Sequence, residues 1–498
     1  MTLGVGGILA AEPTEIVRRL TFATKEAAGA DHGDLFEAMA RVNLAHAVML
    51  YRRKLVPESV GKALIGLMLE LFEDGRDRVP LKAEDGDLYP QIEAFAAQRL
   101  GADIAGFLQL GRSRGDVIPA AMRVKLRIKE RRLLQRLLPL RGIVLKRARE
   151  QSEALMPAYT HWQQSQVMTM GHFLARFGAW FARDYTRLRD CLELHDYSPL
   201  GVANGVGTSV KVDREMTADL LGHLGPVAHA GDATNAWDYM IDPVACAAGF
   251  AAHASRLATN FVLWHTREFG MVRLSDGFAT ASTYLPQKRN PEPLESVKAF
   301  AELIHGDLAT TYLMARNEDW PHSLINHGYP AINRALDLAV DIADLSTAIL
   351  DDIAFNHERM LAHLTGSFVT ASEVANTIVA RTGMSFREAH EVVGLAVRDC
   401  IARGEAELSP RAVLDAARSL GHESLGISDE ELHKSIEPGE FIRRMTSAGG
   451  VDPATFRTEL DAMDAALERD KGDFEALQSR LDAADTRLRT AAKEALGA

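Results

Sequence analysis

The strongest constraint in this chain is apolar spacing that repeats at helical intervals over long stretches. Between 333 and 355, Leu338, Ile342, Leu345 and Ile349 recur at steps of four, three and four, with Asp337, Asp341 and Asp344 between them. That spacing lines one face of a helix and leaves the other to water. From Ile118 to Glu150 the helical pattern contains a single glycine, Gly142, and closes on a Lys/Arg-rich turn that suits the negative end of a helix dipole. Period-two alternation is scarce, and Ser209-Val210-Lys211-Val212 is the best strand candidate. Long helices without strands between them predict an all-α fold around a central long-helix bundle rather than an α/β fold.

Breaks in the pattern divide the chain. Residues 1–13 hold three glycines and a proline and read as a loose lead-in. The polar stretch 108–120 precedes the long helices, and a second break falls at Gly366. The expected divisions are an N-terminal helical domain at 1–113, a central bundle at 114–368 and a C-terminal helical domain at 369–498. In the tail, Leu460, Leu467, Phe474, Leu481 and Leu488 lie seven apart, a heptad seam interrupted near Asp470 and Gly472. We read it as a helix packed on its own domain.

Composition narrows the function. A net charge of -12 over 498 residues argues against non-specific nucleic-acid binding, which needs Lys and Arg to replace counterions. It leaves room for an anionic substrate, because local potential can oppose the global sign. Cys191, Cys246 and Cys400 lie far apart, with neither metal-ligand spacing nor a disulfide framework. The apolar stretch 243–264 is interrupted by His253, Arg256 and Asn260, so no membrane span is expected. The N-terminus lacks a secretion signal, and the expected location is the cytoplasm.

Three segments carry chemistry. Ala281-Ser282-Thr283-Tyr284-Leu285-Pro286-Gln287-Lys288-Arg289-Asn290-Pro291-Glu292 gathers hydroxyls, cations and an amide between two prolines. Such a run suits either a solvated turn between helices or a cradle for a small anion. Lys288, Arg289 and loop amides could stabilise an oxyanion on Ser282, and no Gly-x-Ser-x-Gly elbow points to a hydrolase. Met156–Gln166 places Thr160 and His161 after a proline turn. Leu110–Asp116 sets Arg112 and Arg114 around Ser113, a spacing able to clamp a carboxylate.

The first run resembles the signature loop of the aspartase/fumarase superfamily, G-S-S-x-M-P-x-K-x-N-P, and with Leu294-Glu295 behind it is most similar to the argininosuccinate lyase branch. Met156–Gln166 resembles that family's P-G-Y-T-H-x-Q, and Leu110–Asp116 its G-R-S-R-N-D, with Gly115 in place of the asparagine. Ser198-Pro199-Leu200-Gly201 with Gly205 and Gly207, Ser385–His390, and Gly449-Gly450 extend the likeness over about 84–460.

The resemblance implies three mostly helical domains and a homotetramer, assembled as a tetrameric helix bundle, whose sites draw on three subunits. It implies β-elimination of an amine from an N-substituted aspartate, releasing fumarate, with no metal or organic cofactor. Ser282 becomes the general base, and Lys288 and Asn290 stabilise the dianionic carboxylate. His161, paired with Glu295, protonates the leaving amine. Ser113, Arg114, Thr160 and Thr283 hold the substrate.

The amine half departs from argininosuccinate lyases. Gly86-Asp87-Leu88-Tyr89 stands for their E-D-I-H, Trp237 replaces the arginine of S-D-R-D-F, and Asn317–Asn326 lacks their Y-N-K-D-L-Q-E-D-K pattern. The expected substrate is therefore an argininosuccinate-like or aminopolycarboxylate adduct. The alternatives are a true argininosuccinate lyase or a non-catalytic, crystallin-like homologue.

Overall fold

A computed structural model describes residues 33–81, 88–316 and 322–497. The segment 1–13, Gly86, Asp87 and the stretch 317–321 lie outside them. The chain opens with α1 (Asp34–Arg52), α2 (Glu58–Asp74) and α3 (Leu88–Leu100), then runs into α4 (Arg114–Glu150). A hairpin, β1 (Leu155–Thr160) and β2 (Gln163–Thr169), leads to α5 (Met170–His195) and α6 (Asp238–His265). Short strands β3 (Val272–Arg273), β4 (Thr280–Ala281) and β5 (Arg289–Asn290) precede α7 (Glu292–Met314) and α8 (His322–Asp352). Strand β6 (Ala354–Phe355) and α9 (His357–Ala362) follow, and then four helices: α10 (Ala371–Thr382), α11 (Phe386–Ala402), α12 (Pro410–Ser419) and α13 (Asp429–Ile436). A short α14 (Pro438–Arg444) and a final α15 (Pro453–Leu496) end the chain.

The five longest central helices, α4 to α8, pack into one bundle. The all-α expectation holds. The apolar stripe at 333–355 lies on α8, where Ile342 and Ile349 are buried. The break at 113 falls on the N-cap of α4. There Ser113 Oγ accepts from Gly115 N at 3.1 Å, and Asp116 Oδ1 accepts from Ser113 N at 2.8 Å, a reciprocal capping box. The apolar core does not break with it, since Leu44 and Val48 of α1 share one cluster with Leu134 of α4 and Ile342 of α8. A separate small core joins Val374, Ile378, Val392, Val413 and Leu432.

The heptad tail forms the unbroken 44-residue α15. Its buried Phe456, Leu460, Leu467 and Leu488 belong to the large core, not to the small core of the preceding helices. Asp470, which interrupts the seam, accepts from buried Arg141 at 2.7 Å. Among the described helices none is long and apolar enough to cross a membrane.

The strand expectation at Ser209–Val212 fails, because that stretch is loop. Val212 packs instead with Met49, Leu50, Val56 and Leu110, so the alternation serves packing rather than pairing. The β1–β2 hairpin went unread for want of turn chemistry. Thr160 faces Gln163 across a two-residue turn, with φ of 52° at His161 and 59° at Trp162. Such turns favour Asn-Gly, because both central residues need positive φ.

A buried ionic knot joins four segments. Arg127 Nη1 of α4 lies 2.7 Å from Asp196 Oδ1 and its Nη2 donates to the Leu221 carbonyl at 2.6 Å. Arg480 of α15 reaches Asp196 Oδ2 at 2.6 Å, and His223 Nδ1 lies 2.8 Å from Asp196 Oδ1. Burial alone would raise the Asp196 carboxyl, but Arg127, His223 and Arg480 hold it well below the usual carboxylate range. Burial, reinforced by Arg127, pushes the fully buried His223 down to about 4. His223 is therefore neutral in the fold and protonated in the unfolded chain below its ordinary 6.5. Its contribution is whole above pH 6.5 and is lost as pH falls toward 4, by about 3 kcal/mol. We predict that denaturant midpoints fall over that window and that His223→Gln flattens the fall. Equal slopes in wild type and variant would refute this.

Candidate active site

The signature segment forms a closed loop. Strands β4 and β5 pair antiparallel, Thr280 opposite Asn290 and Ala281 opposite Arg289, so residues 282–288 are pinched at their root. Ala281, where the family has glycine, lies in this extended ladder, a conformation alanine adopts without strain. Ser282 is half-buried, and its Oγ accepts from Leu285 N at 2.9 Å and Tyr284 N at 3.3 Å. Two amides aimed at one hydroxyl oxygen stabilise negative charge there as it yields its proton. Thr283 is exposed beside it.

Arg289 lines the cavity beside the loop, but its guanidinium is tied down at the loop root. Its Nη1 pairs with Asp276 and its Nη2 donates to the Leu274 carbonyl at 3.0 Å. The guanidinium thus straps the root of the loop to the segment after β3.

Lys288, Asn290 and Glu295 share a cavity of about 1090 Å³ between the end of α6, the start of α7 and residues 354–359. Arg267, Arg273 and Arg359 also line it, against the one lining carboxylate of Glu295. Arg359 is fixed by the carbonyls of Glu268 and Phe269 at 2.8 and 3.3 Å, which leave its charge uncancelled. A chain of net charge -12 here concentrates positive charge in one recess. Nothing in the sequence marked Arg267, Arg273 or Arg359, which lie outside the recognised motifs.

Thr160 and His161 stand exposed at the hairpin turn. The hairpin is braced beside the cavity wall: the Tyr159 ring lies 6.5 Å from Trp264 and 6.3 Å from Phe269, and Gln164 donates to the His363 carbonyl at 2.5 Å. Positive φ at His161 and at bulky Trp162 costs about 1–3 kcal/mol each. In the single chain no hydrogen bond among the described residues joins His161 to Glu295.

The third segment is held from both sides. Arg112 is buried and donates to Asn43 Oδ1 at 2.8 Å, while His46 Nε2 lies 3.1 Å from the Leu110 carbonyl. Arg112 therefore anchors the turn to α1, and the two-arginine clamp does not form. Arg114 is half-buried, and burial lowers its pKa, so less water must be shed to meet an anion. Ser113 Oγ accepts within the cap, which leaves its O–H proton to donate outward. Buried Asp116 also accepts from Gly201 N at 2.7 Å and Ala203 N at 3.0 Å, binding the 198–207 loop to α4. Nothing in its sequence context marks Asp116 for this bracing role.

Tyr89 is buried, with its hydroxyl taken by Gln109. Trp237 is half-buried against the large core. The structure thus gathers Lys288, Asn290 and Glu295, sets the Ser282 loop at their margin, and leaves Thr160–His161 and Ser113–Arg114 on separate elements.

The chain is similar to known proteins. A family model described as lyase matches residues 24–306, and one described as argininosuccinate lyase C-terminal matches 368–443. The argininosuccinate lyase of Methanoculleus marisnigri is 32% identical over 448 residues, 89% of this chain and 90% of that one. That of Chelativorans sp. is 32% identical over 452 residues, 88% and 91% of the two chains. Among solved structures, EDDS lyase in complex with formate superposes with a TM-score of 0.86 at 23% identity, covering 98% of this chain and 97% of that one. A helical bundle carrying this loop defines a carbon–nitrogen lyase of the fumarate-forming class. The chain belongs to the argininosuccinate lyase family.

The Arg289 strap can be tested apart from folding. Arg289 is partly exposed and Asp276 largely so, and such a pair contributes little to stability. We predict that Arg289→Gln and Asp276→Asn each lower turnover about ten- to hundredfold by loosening the loop, with little change in melting temperature. The double variant is expected to be no worse than the worse single one. Additive losses would show that the two residues act separately.

Proposed function

We propose that this chain catalyses reversible β-elimination of an amine from an N-substituted aspartate, releasing fumarate. The supporting observation is the pairing of Ser282, whose oxygen receives two amide N–H groups, with an adjacent cavity rich in Arg and Lys. Ser282 takes the proton from the carbon beside a carboxylate. That carboxylate gains a second negative charge, which Lys288, Asn290 and loop amides stabilise more strongly than they stabilise the ground state. Ser113, Arg114, Thr160 and Thr283 hold the substrate. His161, oriented by Glu295, delivers the proton to the departing nitrogen.

The catalytic segments sit on separate elements, which favours a site completed by other subunits of a homotetramer. In that assembly His161 of one subunit meets Glu295 of another. The proposed setting is the cytoplasm. We predict that Ser282→Ala folds normally and loses about a hundredfold to ten-thousandfold in turnover. Mixed with inactive His161→Ala under subunit exchange, it regains activity. Retention of more than a few per cent by Ser282→Ala would assign the base elsewhere.

The substrate reading is an aminopolycarboxylate or a related adduct rather than argininosuccinate. The cavity offers Arg267, Arg273 and Arg359 to further carboxylates, whereas a guanidinium would meet like charge. The names of the sequence relatives favour a second reading, argininosuccinate cleavage. We predict that kcat/KM for N-substituted aspartates whose amine carries a carboxylate exceeds that for argininosuccinate, measured as fumarate release. Argininosuccinate ahead by tenfold or more would establish the second reading.

A further inference from the structure

Gly115 is where the Leu110–Asp116 segment departs from the family pattern, and a neighbouring side chain occupies the space it leaves. Gly115 lies in the first turn of α4, with no positive φ that would call for glycine. Room is what excludes a side chain. A Cβ on Gly115 would lie 2.5 Å from Oδ1 of Asn204 and 3.3 Å from the Ala203 carbonyl oxygen. Asn204 belongs to the 198–207 loop, which Asp116 fixes through the amides of Gly201 and Ala203. Ala203 itself has φ 51°, a left-handed conformation that alanine adopts only under constraint. The constrained backbone directs the Asn204 carboxamide to the start of α4, yet Asn204 remains exposed.

We infer that Asn204 supplies, from the facing loop, the carboxamide that an asparagine at position 115 would supply from the helix, and that it hydrogen-bonds a substrate carboxylate beside Arg114. This rests on reading the 113–114 segment as substrate-binding. The carboxamide NH2 adds neutral donors next to the Arg114 charge and the N-terminal end of α4, both of which favour an anion. Because the group arrives from the loop, the loop rather than the helix sets where that carboxylate sits.

Kinetics of fumarate release separate this from simple space filling. Asn204→Ala is expected to raise KM about tenfold with kcat changed less than about threefold, the loss of one hydrogen bond to a charged group. Asn204→Asp raises KM further, by repelling the carboxylate. Gly115→Asn with Asn204→Ala returns KM to within about threefold of wild type, whereas Gly115→Ala with Asn204→Ala does not. KM for Asn204→Ala within twofold of wild type would overturn the inference, as would rescue by the alanine pair. Circular dichroism and melting curves report folding. If the position-115 variants fail to fold, Asn204→Ala against Asn204→Asp decides, and equal KM values overturn it. A wild type inactive on every N-substituted aspartate would sink the functional reading instead. Calorimetric binding of fumarate to the same variants then tests Asn204 directly.

Discussion

The fold turns on the burial of α4. Most of this 37-residue helix is inside the protein, and its buried residues include Arg123, Arg127, Lys129, Glu130 and Arg141 as well as its leucines. A charge taken out of water must find a partner or shift its protonation. Lys129 meets Asp337 of α8 at 2.7 Å and Asp34 of α1 at 3.3 Å. Arg127 meets Asp196, Arg141 meets Asp470 of α15, and Arg123 donates to the His195 carbonyl at 3.0 Å. Together these contacts tie α4 to α1, α8, α15 and the end of α5, each at a set height along its axis. Removing Asp470 leaves the buried Arg141 charge without its carboxylate, a loss of about 3–5 kcal/mol. Apolar stripes can slide by a turn; these pairs cannot.

The rigid bundle lets strain be carried at its edges. The chemistry-bearing side chains stand where backbone is irregular: at a helix N-cap, at a hairpin turn with two positive φ angles, and on a loop pinched by a two-residue ladder. Such positions turn backbone amides and side-chain tips outward together. Each is braced by residues that touch no substrate in the proposed mechanism: Arg112 and Asp116 behind Arg114, Tyr159 behind His161, Arg289 behind Ser282. Positioning and chemistry are divided between neighbours in the chain.

The charge pattern follows the same division. An acidic chain gains solubility from its surface while one recess gathers arginine and lysine. That recess holds Lys288 and Asn290 beside Arg267, Arg273 and Arg359. In the proposed reaction Lys288 and Asn290 meet the fumarate-forming carboxylate, and the arginines beyond them meet the substituents of the amine.

The sequence by itself determined the helical class and the motif residues, because helical periodicity and short polar signatures are local. It showed the heptad of α15 but not that Leu467 and Leu488 would return to the large core, since a seam names a face and not its partner. It offered Arg112, Arg114 and Arg289 as equal cations. Only the tertiary structure gave Arg112 to Asn43 and Arg289 to Asp276, and set Lys288 on the wall of the recess. The hairpin was hidden because His161 and Trp162 hold angles usually reserved for Asn and Gly, imposed by packing around Tyr159. Periodicity and turn residues are written along the chain. Which charge a buried arginine meets, and what fills the space beside a glycine, depends on segments that meet only once the chain has folded.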